Sequence, residues 1–288
     1  MSIFQDYYAL CKPQVVLVML VTSWVGMILA SGHVIHWNPI MFGTVGIAFS
    51  GAAAAVINHL VDRRIDAKMT RTAYRPIASG KIRPIHAFIF SVFLGSTGLT
   101  VLFFLVNHLT AYLTFLTLVG YAVFYTMFLK RATPQNIVIG GAAGATPPLL
   151  GWATVSNDIH AYALLLVLIV FTWTPPHFWA LAIYRHQEYA KANIPMLPVT
   201  HGIPFTKLCI VLYTCLLWGV TLLPFAVGMS GPLYLILAII LGSVFLIYTL
   251  VLFQTNSLAF ALKTFTFSIV YLLLLFIALL LDYVIFIL

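Results

Sequence analysis

Long apolar segments separated by short polar loops are the feature that most constrains this chain. A helix that crosses the hydrocarbon core of a bilayer needs about 20 mostly apolar residues. Apolar residues make up 62% of the 288, and charged residues only 7%, which is too little polar surface for a water-soluble domain. We predict a single-domain (1–288), all-α integral membrane protein with nine transmembrane helices, at residues 15–30, 39–60, 85–106, 109–129, 136–155, 161–183, 208–227, 233–253 and 264–288.

The basic residues lie in alternate loops. Seven of the 14 Lys and Arg residues stand between the second and third segments, whereas the loops at 31–38, 107–109, 156–160 and 228–232 contain none. By the positive-inside rule this distribution predicts a cytoplasmic N-terminus and a C-terminus on the opposite side. We expect the membrane to be a bacterial inner membrane, so that side is the periplasm. The formal charge of +8 is therefore a topology signal, and we expect no nucleic-acid partner.

An acidic stretch follows the second apolar segment. If the helix continues, Asn58, Asp62 and Asp66 lie successive turns apart on one face. Neighbouring carboxylates repel each other unless a cation lies between them, and Mg²⁺ binds through one or two carboxylates plus substrate phosphates. The alternative is that the aspartates only neutralise Arg63, Arg64 and Lys68 at a solvated helix end.

A second acidic position, Glu188, comes four segments later, so the chain has returned to the same membrane face. Asp62, Asp66 and Glu188 are therefore the candidate Mg²⁺ ligands. Almost no charge falls within a segment, which argues against an ion-coupled transporter. Five basic residues on this face are suited to phosphate oxygens: Arg71, Arg75, Lys130, Arg131 and Arg185. A diphosphate at the interface with its tail in an apolar bundle describes a polyprenyl diphosphate.

The spacing Asn58-xxx-Asp62-xxx-Asp66 resembles the first motif of the UbiA superfamily of intramembrane prenyltransferases. Nearly the whole chain shares the resemblance, and the stretches that point to the heme-modifying branch are 71–76, 130–133, 140–148, 176–178 and 193–199. One departure is Glu188, where the family usually has Asp; Glu can still bind Mg²⁺. The resemblance implies a UbiA-type helical bundle.

The resemblance also implies an activity. A Mg²⁺-dependent enzyme would transfer the farnesyl group of farnesyl diphosphate to a vinyl group of heme b, giving heme O and diphosphate. Asp62, Asp66, Arg71 and Arg75 would be the catalytic residues, and Mg²⁺ would lie on Asp62, Asp66 and Glu188. Beyond these substrates, the implied partners are membrane lipid and heme A synthase or terminal-oxidase assembly.

Several assignments have two interpretations. Asn58 is either a further oxygen ligand or a hydrogen-bonding residue between helices. Lys130 and Arg131 bind diphosphate or heme propionates, or they only mark topology. His177 ligates heme iron or hydrogen-bonds its neighbours in the bundle. The candidate cofactor-binding residues are Asn58, Lys130, Arg131, His177, Tyr184 and Arg185.

Proline pairs at 147–148 and 175–176 should bend the fifth and sixth helices and open a cavity for a porphyrin. Gly140 and Gly144 indicate a close helix contact. Two other functions stay open. One is prenylation of an aromatic quinone precursor such as 4-hydroxybenzoate in the same fold, and the other is a non-catalytic membrane transporter.

Overall fold

The computed structural model describes residues 2–70 and 72–286, and within them every regular element is a helix. The all-α prediction is therefore confirmed. The helices are α1 (Ile3–Leu10), α2 (Pro13–Ala30), α3 (Trp37–Asp66), α4 (Pro84–Leu105), α5 (His108–Val119), a π-helix (Gly120–Leu129), α6 (Lys130–Ala132), α7 (Asn136–Gly144), α8 (Pro147–Ser156), α9 (Ala161–Tyr184), α10 (His186–Lys191), α11 (Leu197–Thr200), α12 (Gly202–Ala226), α13 (Pro232–Gln254) and α14 (Leu258–Phe286).

Eight helices in the described part of the chain are long and apolar enough to cross a membrane. They are α2, α3, α4, the continuous stretch His108–Ala132, α9, α12, α13 and α14. Large apolar side chains such as Phe104, Phe124 and Phe128 are exposed on the outside of the bundle. Such an exterior is suited to lipid rather than water.

The fifth predicted segment, 136–155, is not one helix. It forms α7 and α8, separated by Ala145 and Thr146, directly before the proline pair at the start of α8. At one end of the stretch His108–Ala132, the carbonyl of Lys130 accepts a hydrogen bond from Asn136, at the start of α7. At the other end, Asn107 donates a hydrogen bond to the carbonyl of Ala153, in α8. The two short helices together therefore traverse the bundle. The count of nine and the orientation of the termini stay predictions.

Helix α3 continues without interruption to Asp66. The expectation that the second helix extends beyond residue 60 is confirmed, and the 3.6-residue period brings Asn58, Asp62 and Asp66 to one face. All three side chains are buried. The chain leaves the helix at Ala67, the C-cap residue.

Helices α2 and α8 pack with their backbones in close approach. A Cβ atom at Gly26 would lie 2.2 Å from the carbonyl oxygen of Pro148, and one at Gly151 would lie 1.9 Å from that of Ser23. Glycine at these positions permits the contact, as small residues do between membrane helices.

One hydrophobic cluster joins several helices at one end of the bundle, near Asp66. It contains Ile137 of α7, Ile183 of α9, Leu252 of α13 and Ala261 of α14, and Ile65 of α3 packs against it. The last turns of α3, α9 and α13 and the first turns of α7 and α14 therefore meet at the same end. We call this the Asp66 end.

Candidate functional site

Asp62 is the centre of a polar group on α3. It is 1% exposed, and its Oδ2 atom lies 2.6 Å from the Nζ atom of Lys130, at the end of the π-helix. Arg131 is 3.9 Å from Oδ1, and the side-chain amide of Asn58 donates to Oδ2 over 3.1 Å. Asn58, Lys130 and Arg131, which the sequence placed on the same membrane face, thus lie around this aspartate, and their roles toward metal, diphosphate or heme stay predictions.

Asp66 pairs with a different cation. Nη1 of Arg75 donates to both carboxylate oxygens, at 2.9 and 2.8 Å. The hydroxyl of Thr72 donates to the backbone carbonyl of Asp66 over 3.0 Å, which holds the following loop against the helix end. Arg71 lies outside the described residues, so its assignment to diphosphate stays a prediction.

Lys12 joins the same group, although the sequence assigned it only to topology. Its Nζ atom donates to Oδ1 of Asn58 over 2.5 Å. The residue has the left-handed backbone conformation (φ 47°) directly before Pro13, which turns the chain between α1 and α2. Burial lowers the pKa of Lys12 to about 7, assisted by the charges of Arg75 and Lys130 and opposed by the two aspartates. The signal available in the sequence was its position before the first span, on the membrane face predicted for the acidic residues.

We call this group, Lys12, Asn58, Asp62, Asp66, Arg75, Lys130 and Arg131, the aspartate cluster. The π-helix lies beside this cluster, because Lys130, its C-cap residue, binds Asp62. The ring of Tyr125 occupies the space above Gly140, where a Cβ atom would be 2.1 Å from Cδ2. The close contact predicted at Gly140 is confirmed, but nothing lies within 4 Å of a Cβ at Gly144.

Glu188 belongs to a second group, which we call the glutamate cluster with Tyr184 and Arg185. Nη1 of Arg185 donates to Oε1 of Glu188 over 2.8 Å, and the guanidinium carbon lies 5.3 Å from the centre of the Tyr184 ring. Tyr189 packs against the same hydrophobic cluster as Ile65, so both groups lie at the Asp66 end. Among the residues described, no three His, Cys, Asp or Glu side chains converge as a metal site. A site shared by Asp62, Asp66 and Glu188 is thus not assembled here and stays a prediction.

His177 lies in α9, in an aromatic environment of its own. Its ring stacks between Trp173 and Phe265, with centroids 4.2 and 4.5 Å away, and its Nδ1 atom is 2.7 Å from the hydroxyl of Ser268. Of the two interpretations of His177, this contact fits the one in which the ring hydrogen-bonds a neighbour in the bundle. Iron ligation through the other ring nitrogen, Nε2, stays a prediction. Helix α9 is continuous through Pro175 and Pro176.

The oxygen donors suit a hard divalent cation. Oδ1 of Asp62 and Oε2 of Glu188 are buried carboxylate oxygens that have no hydrogen-bond partner within residues 2–70 and 72–286. Buried polar atoms are normally satisfied, and carboxylate oxygen is the donor that Mg²⁺ prefers. Asp66, by contrast, already has both oxygens on Arg75, so Arg75 would have to move for this carboxylate to bind a metal.

The fold and the two acidic clusters define a class of protein. The model of the UbiA prenyltransferase family matches residues 19–280, and the chain belongs to that family. The resemblance seen in the sequence is confirmed.

Curated relatives match almost the full length. The protoheme IX farnesyltransferase of Stutzerimonas stutzeri is 56% identical over 280 residues, which cover 97% of this chain and 94% of the relative. The protein of the same name from Azotobacter vinelandii is 58% identical with the same coverage.

Solved structures share the fold. A structure of digeranylgeranylglyceryl phosphate synthase has a TM-score of 0.80 at 20% identity, covering 98% of this chain and 99% of that one. A UbiA homolog from Archaeoglobus fulgidus bound to GPP and Mg²⁺ has a TM-score of 0.67 at 15% identity, covering 95% and 99%. At these identities the comparison shows a common fold.

Proposed function

We propose that this protein transfers the farnesyl group of farnesyl diphosphate to a vinyl group of heme b, giving heme O and diphosphate. The observation that carries the proposal is the identity of 56–58% over 97% of the chain to relatives named protoheme IX farnesyltransferase. The aspartate cluster supports it, because it combines buried carboxylates with four basic side chains at one end of an apolar bundle.

The diphosphate would be held by the basic side chains of the aspartate cluster. Arg75 and Lys130 each contact a carboxylate, and a guanidinium or ammonium group binds phosphate oxygen with charge-assisted hydrogen bonds. Lys12 and Arg131 add positive charge at the same place. Arg71 is proposed to bind diphosphate as well.

Asp62, Asp66 and Glu188 would hold Mg²⁺. When bound, Mg²⁺ neutralises charge that develops on the leaving diphosphate. Asp62 is preorganised for this role because Asn58 and Lys130 fix its carboxylate. The pair of Arg185 and Glu188 is short and local, so Glu188 can exchange its partner without a change in the helix core.

The reaction proceeds by electron flow from the vinyl group. The vinyl π electrons form a bond to C1 of the farnesyl group, while the C1–O bond breaks and its electron pair leaves with diphosphate. The resulting cation, on the carbon next to the porphyrin ring, takes the oxygen of a water molecule that then loses a proton. Apolar helices exclude water from the allylic carbon until transfer is complete.

The location and the protein partners are part of the proposal. The helices indicate a multi-pass membrane protein, and we place it in the bacterial inner membrane with the aspartate cluster on the cytoplasmic side. Asn58 would complete the oxygen ligands of the metal, and His177 and Tyr184 would face the heme. Heme A synthase or terminal-oxidase assembly would receive the product.

Mass spectrometry of extracted heme tests the function. Purified protein is incubated with reduced heme b, farnesyl diphosphate and Mg²⁺, beside an Asp62→Asn control. We expect a species heavier than heme b by one farnesyl and one hydroxyl group, absent from the control. Unchanged heme from folded protein would contradict the proposal, and a parallel incubation with 4-hydroxybenzoate would then identify the aromatic acceptor. No product in either incubation would favour the transporter interpretation.

A further inference from the structure

A pocket that contains a lysine lies at the Asp66 end, and the residues that line it are outside both acidic clusters. Its volume is about 370 Å³, and it is lined by the end of α9, the start of α12 and the α13–α14 connection. Lys207, Asn256 and Ser257 are its polar residues, with Phe253 and Leu258 among the apolar ones. This size is within the range of small-molecule sites.

Lys207 is buried in the wall of this pocket without an acidic partner. The residue is 6% exposed, and none of the ion pairs among the described residues includes it. Its Nζ atom donates to the carbonyl of Thr255 and, over 3.3 Å, to Oδ1 of Asn256. Both partners are neutral, and a buried charge is costly unless it is paired.

The contact with Thr255 explains part of this arrangement. Thr255 is the C-cap of α13, and a lysine there stabilises the carbonyl end of a helix. The bonds to Thr255 and Asn256 together use two of the three ammonium hydrogens. The third has no partner among the described residues, and it belongs to a residue that lines an open cavity.

We propose that this pocket binds a phosphate group, with Lys207 as its cationic ligand. The amide of Asn256 and the hydroxyl of Ser257 can complete the hydrogen bonds to phosphate oxygens. Phe253 and Leu258 are exposed at the pocket and offer an apolar surface to acyl chains. The ligand that combines both features is an anionic phospholipid, held by its headgroup at the end of the bundle.

Lipid retention in native mass spectrometry tests the site. Wild-type protein is equilibrated with dioleoyl phosphatidylglycerol and, separately, with zwitterionic dioleoyl phosphatidylcholine. We expect wild type to retain phosphatidylglycerol preferentially and Lys207→Gln to retain about fivefold less, the scale of one Lys at an anionic lipid surface. Lys263→Gln, an exposed lysine in the second turn of α14, is the matched control and should bind as wild type does.

A second variant keeps the test valid if Lys207→Gln fails to fold. The hydroxyl of Ser257 accepts a hydrogen bond from the amide of Phe260 and so caps α14, a role that Asp fills equally well. Ser257→Asp therefore preserves the cap while placing a negative charge in the pocket, and it should lose phosphatidylglycerol while Lys207 stays in place.

The outcomes separate the source of the phosphate from the site itself. Retention of phosphatidylglycerol that is equal in wild type, Lys207→Gln and Ser257→Asp, together with no effect of inorganic phosphate on the unfolding temperature of wild type, would overturn the site. If inorganic phosphate alone raises the unfolding temperature of wild type but not of Ser257→Asp, and lipid retention is unchanged, the phosphate site stands and the lipid assignment is overturned. Farnesyl transfer is not measured here, so neither result depends on the proposed function.

Discussion

The two acidic clusters at the Asp66 end are built in different ways. In the aspartate cluster each carboxylate is paired with a cation from a separate element, Lys130 across 68 residues and Arg75 across nine. In the glutamate cluster, Arg185 and Glu188 are three residues apart. The aspartate side chains are 2% and 6% exposed, against 30% for Glu188.

This difference has consequences for stability and for ligand binding. A buried ion pair that loses one partner leaves an uncompensated charge, which is strongly destabilising, whereas a local pair at i,i+3 contributes a few tenths of a kcal/mol. We therefore expect the aspartate cluster to be a rigid, preorganised site. The glutamate cluster should act as an adaptable arm that completes the site when the substrate and its metal bind.

Asp62→Asn and Asp66→Asn should have the largest effect. Each removes one negative charge and leaves Lys130 or Arg75 without its ionic partner, so we expect farnesyl transfer to fall by about 100-fold or more, the scale of one lost electrostatic group at a reaction centre. Turnover with heme b and farnesyl diphosphate measures it. Asp158→Asn, at an exposed aspartate, is the matched control and should keep wild-type turnover. Activity of either cluster variant within about twofold of wild type would show that the buried ion pairs of the aspartate cluster are not needed for turnover.

Glu188→Gln should have a smaller effect, about tenfold on the Mg²⁺ concentration needed for half-maximal activity. The side chain as a whole is 30% exposed and its pairing is local, so the fold should be unaffected. A Mg²⁺ titration of activity measures the shift, with Glu188→Asp as the conservative control that should stay near wild type. A loss as large as that of Asp62→Asn would show that the two clusters are equivalent, against our account.

Gly140→Ala should disturb the aspartate cluster from outside. The added Cβ would overlap the ring of Tyr125 in the π-helix that carries Lys130 at its end, and overpacking of this kind costs about 1–3 kcal/mol. Gly144→Ala, at an open position of α7, the helix that also contains Gly140, should be neutral or slightly stabilising. Thermal unfolding in detergent compares the two. Equal unfolding temperatures would show that the Tyr125 contact has no part in positioning the π-helix.

Lys12 gives the smallest effect, a pH dependence of stability. Its pKa in the folded protein, about 7, is below the ordinary lysine value of 10.5, so between these values the unfolded chain binds a proton that the folded chain has lost. Stability should therefore rise with pH from about 7 towards 10.5, relative to Lys12→Met, and be constant below pH 7. Unfolding temperatures of both proteins from pH 6 to 9 measure it. A constant difference across that range would contradict the altered pKa.

Much of the aspartate cluster could be predicted because local spacing determines it. Asn58, Asp62 and Asp66 repeat every four residues, and helical periodicity alone brings them to one face. Apolar segment lengths likewise predicted the helices. The contacts that orient the carboxylates were harder to predict, since Lys12 lies 46 residues from Asn58 and Lys130 lies 68 residues from Asp62, and nothing local specifies such pairs.

Two features of the backbone were also not predicted from the sequence. The π-helix at Gly120–Leu129 has an apolar composition that an α-helix would share, so no sequence pattern distinguishes it. The proline pair at 147–148 was expected to bend a continuous helix, but the chain leaves the helical path at Ala145 and Thr146 and restarts at Pro147, a position that proline favours. The pair at 175–176 lies inside α9, which is one helix. The bend expected there stays a prediction, and proline is tolerated in membrane helices where neighbouring groups satisfy the freed carbonyls.

Binding of a non-reactive substrate analogue tests whether the aspartate cluster binds diphosphate together with Mg²⁺. The analogue is farnesyl thiodiphosphate, in which sulfur replaces the oxygen that bridges the farnesyl group and the diphosphate. Isothermal titration calorimetry of the protein with this analogue, in Mg²⁺ and in EDTA, separates metal-dependent diphosphate binding from any later step with heme. Our account predicts Mg²⁺-dependent binding to wild type, weakened at least about tenfold in Asp62→Asn and Asp66→Asn and less in Glu188→Gln. Binding that is equally tight in EDTA, or unchanged in both aspartate variants, would contradict it.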